Sequence, residues 1–172
     1  TRLREEVPDV PKPMAPINSR PFLEYLLDYW IGQGITRFIL SIGYKSKVIV
    51  DHFGLNYKGA QVDYAIESSP LGTGGGLLLA LEKVDDPEVV LLNGDTFFAI
   101  SLAGLSQFHS TTNADCVFSL FPAAESGRFM GLDLDSQGRI FSLAADNKKV
   151  GRLANGGVYI IRCNAIRELN LP

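Results

Sequence analysis

The sequence predicts an α/β protein: a Rossmann-like three-layer sandwich with a mostly parallel sheet and a hairpin in its second half. Two observations predict it. Short apolar strands alternate with helical stretches of roughly 10 residues along most of the chain. One of those strands, Ala60 to Ile66, runs into a glycine-dense turn, Glu67 to Gly76, that opens a helix. A strand, a glycine loop and a helix in that order let the backbone approach a nucleotide. With 172 residues and 46% hydrophobic content, the chain can bury one sizeable core, so residues 1–172 read as a single domain.

The elements follow in order. Thr1 to Ala15 carries three prolines and six charged residues and reads as loop. A helix begins near Pro21, with Asn18 and Ser19 as candidate caps. Phe22, Leu23, Leu26, Leu27, Trp30 and Ile31 share one apolar face of it, and Gly34 is its expected stop. Arg37 to Ile42 is a short buried strand, and Lys47 to Phe53 a second helix ended by Gly54. After the Ala60 strand and the glycines, LLLALEKV continues as helix. Val89 to Leu92 is a strand ending at Asn93-Gly94-Asp95. Leu102 to Ser110 reads as helix and Cys116 to Leu120 as strand. Leu132 to Leu134 and Ile140 to Leu143, divided by Asp135-Ser136-Gln137-Gly138, form a hairpin. Val158 to Ile161 is the last strand, after Asn155-Gly156-Gly157.

Composition narrows the function. A net charge of −3 and a pI near 5.4 argue against a general nucleic-acid binder, which needs excess Lys and Arg to neutralise phosphates. No apolar run approaches the ~20 residues of a membrane span, and no signal peptide heads the chain. Cys116 and Cys163 have no second pair at metal-ligand spacing and read as small apolar residues. His52 and His109 read as ordinary helix residues. The expectation is a cytoplasmic, acidic globular domain with no nucleic-acid or membrane partner, its oligomeric state open.

Four features fall at the carboxyl ends of predicted strands or in loops, where open α/β sheets bind ligands. Glu67 ends the Ala60 strand. An ionised carboxylate only accepts hydrogen bonds, and the guanine edge offers two adjacent donors, N1–H and the N2 amino group. Uracil and thymine offer one donor flanked by acceptors, which suits a Gln amide better. Read alone, the stretch is equally a flexible turn with a solvated Glu. Asp95 ends the Val89 strand, where a lone carboxylate suits Mg²⁺ carrying substrate phosphates; after Asn-Gly it is also a natural turn residue. Lys12 stands between Pro11 and Pro13, whose rings stiffen the backbone around an ammonium suited to phosphate. A loop lysine is otherwise simply solvated. Arg2 and Arg4 flank Leu3 at the start of the chain.

Taken together, these residues resemble the sugar-1-phosphate nucleotidyltransferase family over essentially the whole chain. Thr1-Arg2-Leu3-Arg4 looks like the tail of the family's opening G-G-x-G-T-R-L-R, and Pro11-Lys12-Pro13 matches its Pro-Lys-Pro. Glu67 with Leu71-Gly72-Thr73-Gly74-Gly75 matches E-x-x-x-L-G-T-[AG]-G. Gly94-Asp95 matches the strand-ending G-D, and Asn155 to Tyr159 matches N-[AG]-G-[VI]-Y. The resemblance implies in-line attack of a sugar-1-phosphate oxygen on the α-phosphorus of a nucleoside triphosphate, with pyrophosphate leaving. It implies that Arg2 and Lys12 act in catalysis, Arg2 on the leaving pyrophosphate and Lys12 on the α-phosphate. Asp95 would bind Mg²⁺, the implied cofactor. Thr1, Arg2, Lys12, Glu67, Leu71, Gly72 and Thr73 would line the nucleotide site, and Gly94, Asn155 and Gly157 the sugar site, while Tyr159 packs.

The match departs from the family in two places. Family members carry a Glu-Lys pair shortly after the hairpin, where this chain has Ala145 and Asp146, with Lys148 or Lys149 as replacements for the lysine. The opening strand with its glycines and a later D-x-G-[TS]-P, which holds a second metal carboxylate, fall outside the sequence; the expectation is truncation at both ends or an incomplete domain. The stretches PKPMAPI, RPFLEYLLDYW, FILSIGYK and NGDTFF look most like the D-glycero-α-D-manno-heptose-1-phosphate guanylyltransferases, which use GTP to make GDP-heptose for lipopolysaccharide, capsule and other bacterial surface glycans. Mannose-1-phosphate guanylyltransferases and UTP- or dTTP-dependent hexose-1-phosphate relatives are alternatives. A rival of another class is a non-catalytic, regulatory nucleotide-sugar-binding domain.

Overall fold

A computed structural model describes residues 10–123, 131–144 and 153–169. Thr1, Arg2, Arg4, Ala145, Asp146, Lys148 and Lys149 lie outside the described residues. The protein is mixed α/β, with strands and helices interleaved along the chain. It divides into two compact units, one built within residues 1–88 and 162–172 and the other from Val89–Ile161.

The first unit starts with a short 3₁₀ turn, Lys12–Met14, between prolines. A two-residue hairpin follows, β1 (Pro16–Ile17) against β2 (Arg20–Pro21). Helix α1 (Phe22–Ile31) begins directly behind it. Asn18 and Ser19 therefore do not cap the helix. Both adopt positive φ, at 50° and 64°, as the central residues of the hairpin turn, and the helix has no side-chain cap. The predicted apolar face is present: Leu23, Leu26, Leu27 and Trp30 are buried at i, i+3, i+4 and i+7. Each such side chain contributes about 1.5–3 kcal/mol on burial. The helix stops at Ile31 with Gly32 at its C-cap, and Gly34 turns the chain with φ 95°.

Strand β3 (Arg37–Ile42), helix α2 (Ser46–Phe53), β4 (Asn56–Tyr57) and β5 (Ala60–Ile66) form a three-stranded sheet with its crossover helix. β3 and β5 run parallel from Arg37↔Gln61 to Ile42↔Ile66, and β4 pairs β5 antiparallel. Buried Ile49 and Phe53, one helical turn apart, carry the apolar stripe of α2, which packs on β5. Helix α3 (Gly72–Leu81) packs on both β3 and β5. Its far end is closed by Arg167 of the short helix α5 (Cys163–Arg167), whose Nη2 donates to the carbonyls of Leu81 at 3.0 Å and Val84 at 2.6 Å.

The second unit holds the edge strand β6 (Glu88–Leu92), helix α4 (Leu102–Thr112) and four further strands. These are β7 (Cys116–Pro122), β8 (Gly131–Leu134), β9 (Ile140–Ala144) and β10 (Leu153–Arg162), in the order β6-β10-β8-β9 with β7 also on β10. β8 and β9 are the expected hairpin, and β7 and β8 both pair β10 antiparallel. Parallel pairing is thus seen between β3 and β5, where a crossover helix separates the strands, whereas short turns force the hairpin strands to run antiparallel. β10 is longer than the predicted Val158–Ile161 strand. Asn155-Gly156-Gly157 does not break it; the register against β7 shifts there, between Asn155 and Tyr159.

Candidate active site

The parallel ladder delivers Glu67 to its position. Its backbone N–H donates to the Ile42 carbonyl at 2.9 Å, one step past the last strand pair, so the side chain leaves at the carboxyl end of β3 and β5. The half-buried carboxylate turns over its own loop, where Oε2 accepts the Leu71 N–H at 3.2 Å. Oε1 lies against the helix: a Cβ placed on Gly76 would stand 2.7 Å from it and 3.0 Å from Ser41 Oγ. Ser41 Oγ in turn donates to the Gly76 carbonyl at 3.1 Å. Across the carboxylate, a Cβ on Gly43 would stand 3.4 Å from Oε2.

The glycines that read as a loop are therefore mostly helix. Gly74, Gly75 and Gly76 lie in the first turns of α3, where each disfavours the helix by about 1 kcal/mol relative to Ala. Close approach explains two of them, since a Cβ on Gly75 would meet Leu71 Cβ at 2.8 Å and one on Gly76 would meet Glu67. Gly72 opens the helix with φ 70°, a conformation β-carbons disfavour. Leu71, Gly72 and Thr73 are all exposed around this turn, so the predicted nucleotide residues of the loop share one surface. Lys12 is exposed in the Lys12–Met14 turn, whose backbone is closed by Met14 N–H to the Pro11 carbonyl at 2.8 Å.

In the second unit the structure brings together the predicted sugar and metal residues. Asn93 N–H donates to the Gly157 carbonyl at 2.9 Å, fixing the start of the Asn93-Gly94-Asp95 turn to the irregular part of β10. Gly157 has φ 77°, and a Cβ there would meet Asn93 Nδ2 at 2.8 Å. Asn155 supports this bend from both sides: its Oδ1 accepts the Gly157 N–H at 2.9 Å, and its Nδ2 donates to the Tyr159 hydroxyl at 2.6 Å. Tyr159 packs edge-on to Phe118 with ring centroids 5.0 Å apart. Buried Ser119 accepts the Val158 N–H at 3.2 Å, and its Oγ lies 2.6 Å from where a Gly156 Cβ would stand. Gly94 and Asp95 are exposed at the tip of the turn.

Asn93, Ser119, Ser41 and Gly43 are the positioning residues that sequence reasoning missed, and Gly76 reads from sequence only as part of the glycine turn. Of the four, Asn93 alone had a signal, as the neighbour of Gly94-Asp95. Among the described residues no group of three or more His, Cys, Asp or Glu could hold a metal ion. Asp95 fits a different kind of site, one hard oxygen donor for an ion that keeps waters and substrate phosphates as its other ligands. Cys116 has its thiol pushed up to about 11, chiefly by burial and then by Asp115, and Cys163 is fully buried with its thiol also raised by burial, so neither presents a ready thiolate.

Each unit thus presents a carboxylate beyond a strand end, Glu67 in the first and Asp95 in the second, on an α/β frame. The chain belongs to the nucleotidyl transferase family, whose model matches residues 1–169. It is 40% identical to the D-glycero-alpha-D-manno-heptose 1-phosphate guanylyltransferase of Aneurinibacillus thermoaerophilus, over 97% of this chain and 74% of that protein. The Campylobacter jejuni protein of the same name is 38% identical over 99% of this chain and 75% of its own. Among solved structures, HddC from Yersinia pseudotuberculosis complexed with GMP-PN superposes with a TM-score of 0.83 at 30% identity, covering 95% of this chain and 72% of that one. The resemblance drawn from the motifs and the α/β class both hold.

Proposed function

We propose that the protein transfers GMP from GTP to D-glycero-α-D-manno-heptose 1-phosphate, giving GDP-heptose and pyrophosphate. A phosphate oxygen of the sugar forms a bond to the α-phosphorus while the α–β bridging P–O bond breaks. The observation that carries this reading is identity of 40% and 38% to two heptose 1-phosphate guanylyltransferases across nearly the whole chain.

In-line transfer needs positioning and charge neutralisation rather than a covalent intermediate. Glu67 accepts from the guanine N1–H and N2 amino group while the exposed Leu71–Thr73 backbone surrounds the base. Lys12 neutralises the α-phosphate and Arg2 the departing pyrophosphate. Asn155 and Gly157 shape the sugar side, with Gly94 beside them. Asp95 would hold Mg²⁺, which supplies charge stabilisation on the phosphate oxygens when bound. The product is a sugar donor for surface glycans such as lipopolysaccharide or capsule, made in the cytoplasm where GTP is available. No described helix is long and apolar enough to cross a membrane.

The test is pyrophosphate release with Mg²⁺, crossing four nucleoside triphosphates with heptose-, mannose- and glucose-1-phosphate. Turnover confined to GTP with the heptose phosphate is the expected result. Turnover with mannose-1-phosphate alone would overturn the sugar assignment, turnover with UTP or dTTP alone the base assignment, and none with any pair the transferase assignment.

A further inference from the structure

We propose that Gly76, with Gly43 opposite it, is a specificity-determining position of the base site: the two glycines form a slot that holds the Glu67 carboxylate in its reading orientation. The inference rests on the guanylyl reading above and adds to it the residues that set base choice without touching the base. Its ground is the geometry of one carboxylate. Oε1 occupies the space a Gly76 β-carbon would take, at 2.7 Å, and Oε2 lies 3.4 Å from the corresponding point on Gly43. Oε2 also accepts the Leu71 N–H at 3.2 Å, and Ser41 Oγ, 3.0 Å from that same Gly76 point, bonds the Gly76 carbonyl at 3.1 Å.

Helix formation does not account for Gly76. A buried position inside α3 would be better filled by Ala on propensity, and its φ is not in the left-handed region. What the glycine provides is room for the carboxylate. Reading guanine through two adjacent donors requires both carboxylate oxygens at fixed places, because the discrimination lies in hydrogen-bond direction. A side chain free to swing would still attract donors but would tell guanine from hypoxanthine poorly, since these differ only by the N2 amino group. A methyl at position 76 meets side-chain ends rather than backbone, Glu67 Oε1 at 2.7 Å and Ser41 Oγ at 3.0 Å, so the fold is retained and Glu67, the longer and more flexible of the two, moves.

The experiment compares kcat/KM for GTP and ITP in the wild type, Gly76→Ala, Glu67→Gln and the double variant. The wild type is expected to prefer GTP. Gly76→Ala is expected to reduce that preference by about tenfold while leaving the thermal unfolding midpoint near that of the wild type. On the Glu67→Gln background the same substitution is expected to change the preference no further, as coupling through one side chain requires. A wild type that prefers GTP with a Gly76→Ala variant that prefers it equally overturns the inference alone. So does a loss of the same size on both backgrounds. A wild type indifferent between GTP and ITP also overturns the inference, whereas the guanylyl reading falls only if UTP or dTTP replaces GTP in the pyrophosphate-release panel. Should Gly76→Ala fail to fold, Gly43→Val crowds Oε2 from the other side without entering the helix, and the same ratios decide.

Discussion

Glu67 at the end of β5 and Asp95 beyond β6 are both carboxylates at strand tips, yet their surroundings are organised on different principles. Glu67 is half-buried, accepts a backbone N–H and lies between two glycines. Asp95 is exposed on a turn whose base is anchored through the bond from Asn93 to Gly157. A group that reads a base works through directional hydrogen bonds and gains from being fixed before the ligand arrives. A group that holds a hydrated divalent ion works through charge, and the ion's waters take up small errors of placement. The contrast predicts that substitutions at the two tips fail in different ways.

The largest effect belongs to Asp95. Asp95→Asn keeps the size and turn preference but removes the charge, and is expected to lower Mg²⁺-dependent turnover by roughly two to three orders of magnitude with little change in thermal stability. Turnover measured across a magnesium titration checks it, and undiminished activity would take Asp95 out of the metal role. Next comes Glu67→Gln, which replaces an acceptor by an amide that also donates. Turnover should survive, but preference for GTP over UTP should fall by about ten- to a hundredfold. If the two variants instead lose the same quantity, rate or selectivity, the contrast between the two tips is wrong.

These tips were legible in the sequence because a carboxylate after an apolar strand is a local pattern. The strands themselves were legible for the same reason: Arg37–Ile42 and Ala60–Ile66 stand as expected, and the helix ending at Gly54 begins one residue earlier than expected, at Ser46. Gly74 to Gly76 misled because propensity assigns three glycines to a loop, whereas contacts of Gly75 with Leu71 and of Gly76 with Glu67 require small residues within a helix. Asn18 and Ser19 misled because the residue types that cap helices also accept the positive φ of a tight hairpin. Asn155-Gly156-Gly157 falls outside the expected last strand because the contacts that require its glycines, with Asn93 and Ser119, lie far away in sequence. Gly43 and Ser41 gave no signal at all, since their relation to Glu67 arises only once β3 and β5 pair.

Gly157 sharpens the comparison from the side of the backbone. With φ 77° and Asn93 Nδ2 2.8 Å from a would-be Cβ, Gly157→Ala combines left-handed strain with displacement of the Asn93 side chain. The expected cost is about 1–3 kcal/mol in unfolding free energy, together with a raised KM for the sugar phosphate. Urea denaturation gives the first quantity and initial rates the second. A stable variant with an unchanged KM would mean that the bend serves neither the turn nor the sugar side.

The smallest effect belongs to a charged cluster on the first unit. Arg20 bonds Glu24 and Asp28, Lys58 bonds Asp28 at 2.7 Å, His52 lies 2.7 Å from Glu24, and Tyr57 joins Arg20 and Glu24. Burial by itself would raise both carboxyls. The hydrogen bonds from Arg20 and His52 to Glu24, and from Lys58 and Arg20 to Asp28, outweigh it and hold the two below their ordinary values of 4.5 and 3.8. A carboxyl depressed in the folded state binds its proton more readily when unfolded, so its contribution is complete above the unfolded value and is lost as pH falls through the folded one. The cluster therefore stabilises the protein at neutral pH and stops doing so in acid, beginning below about pH 4.5. Thermal melts of the wild type and Glu24→Gln should differ at pH 7 and converge as the pH is lowered past that point. A gap between the two curves that stays constant down to pH 3 would mean that Glu24 acts through packing rather than through its charge.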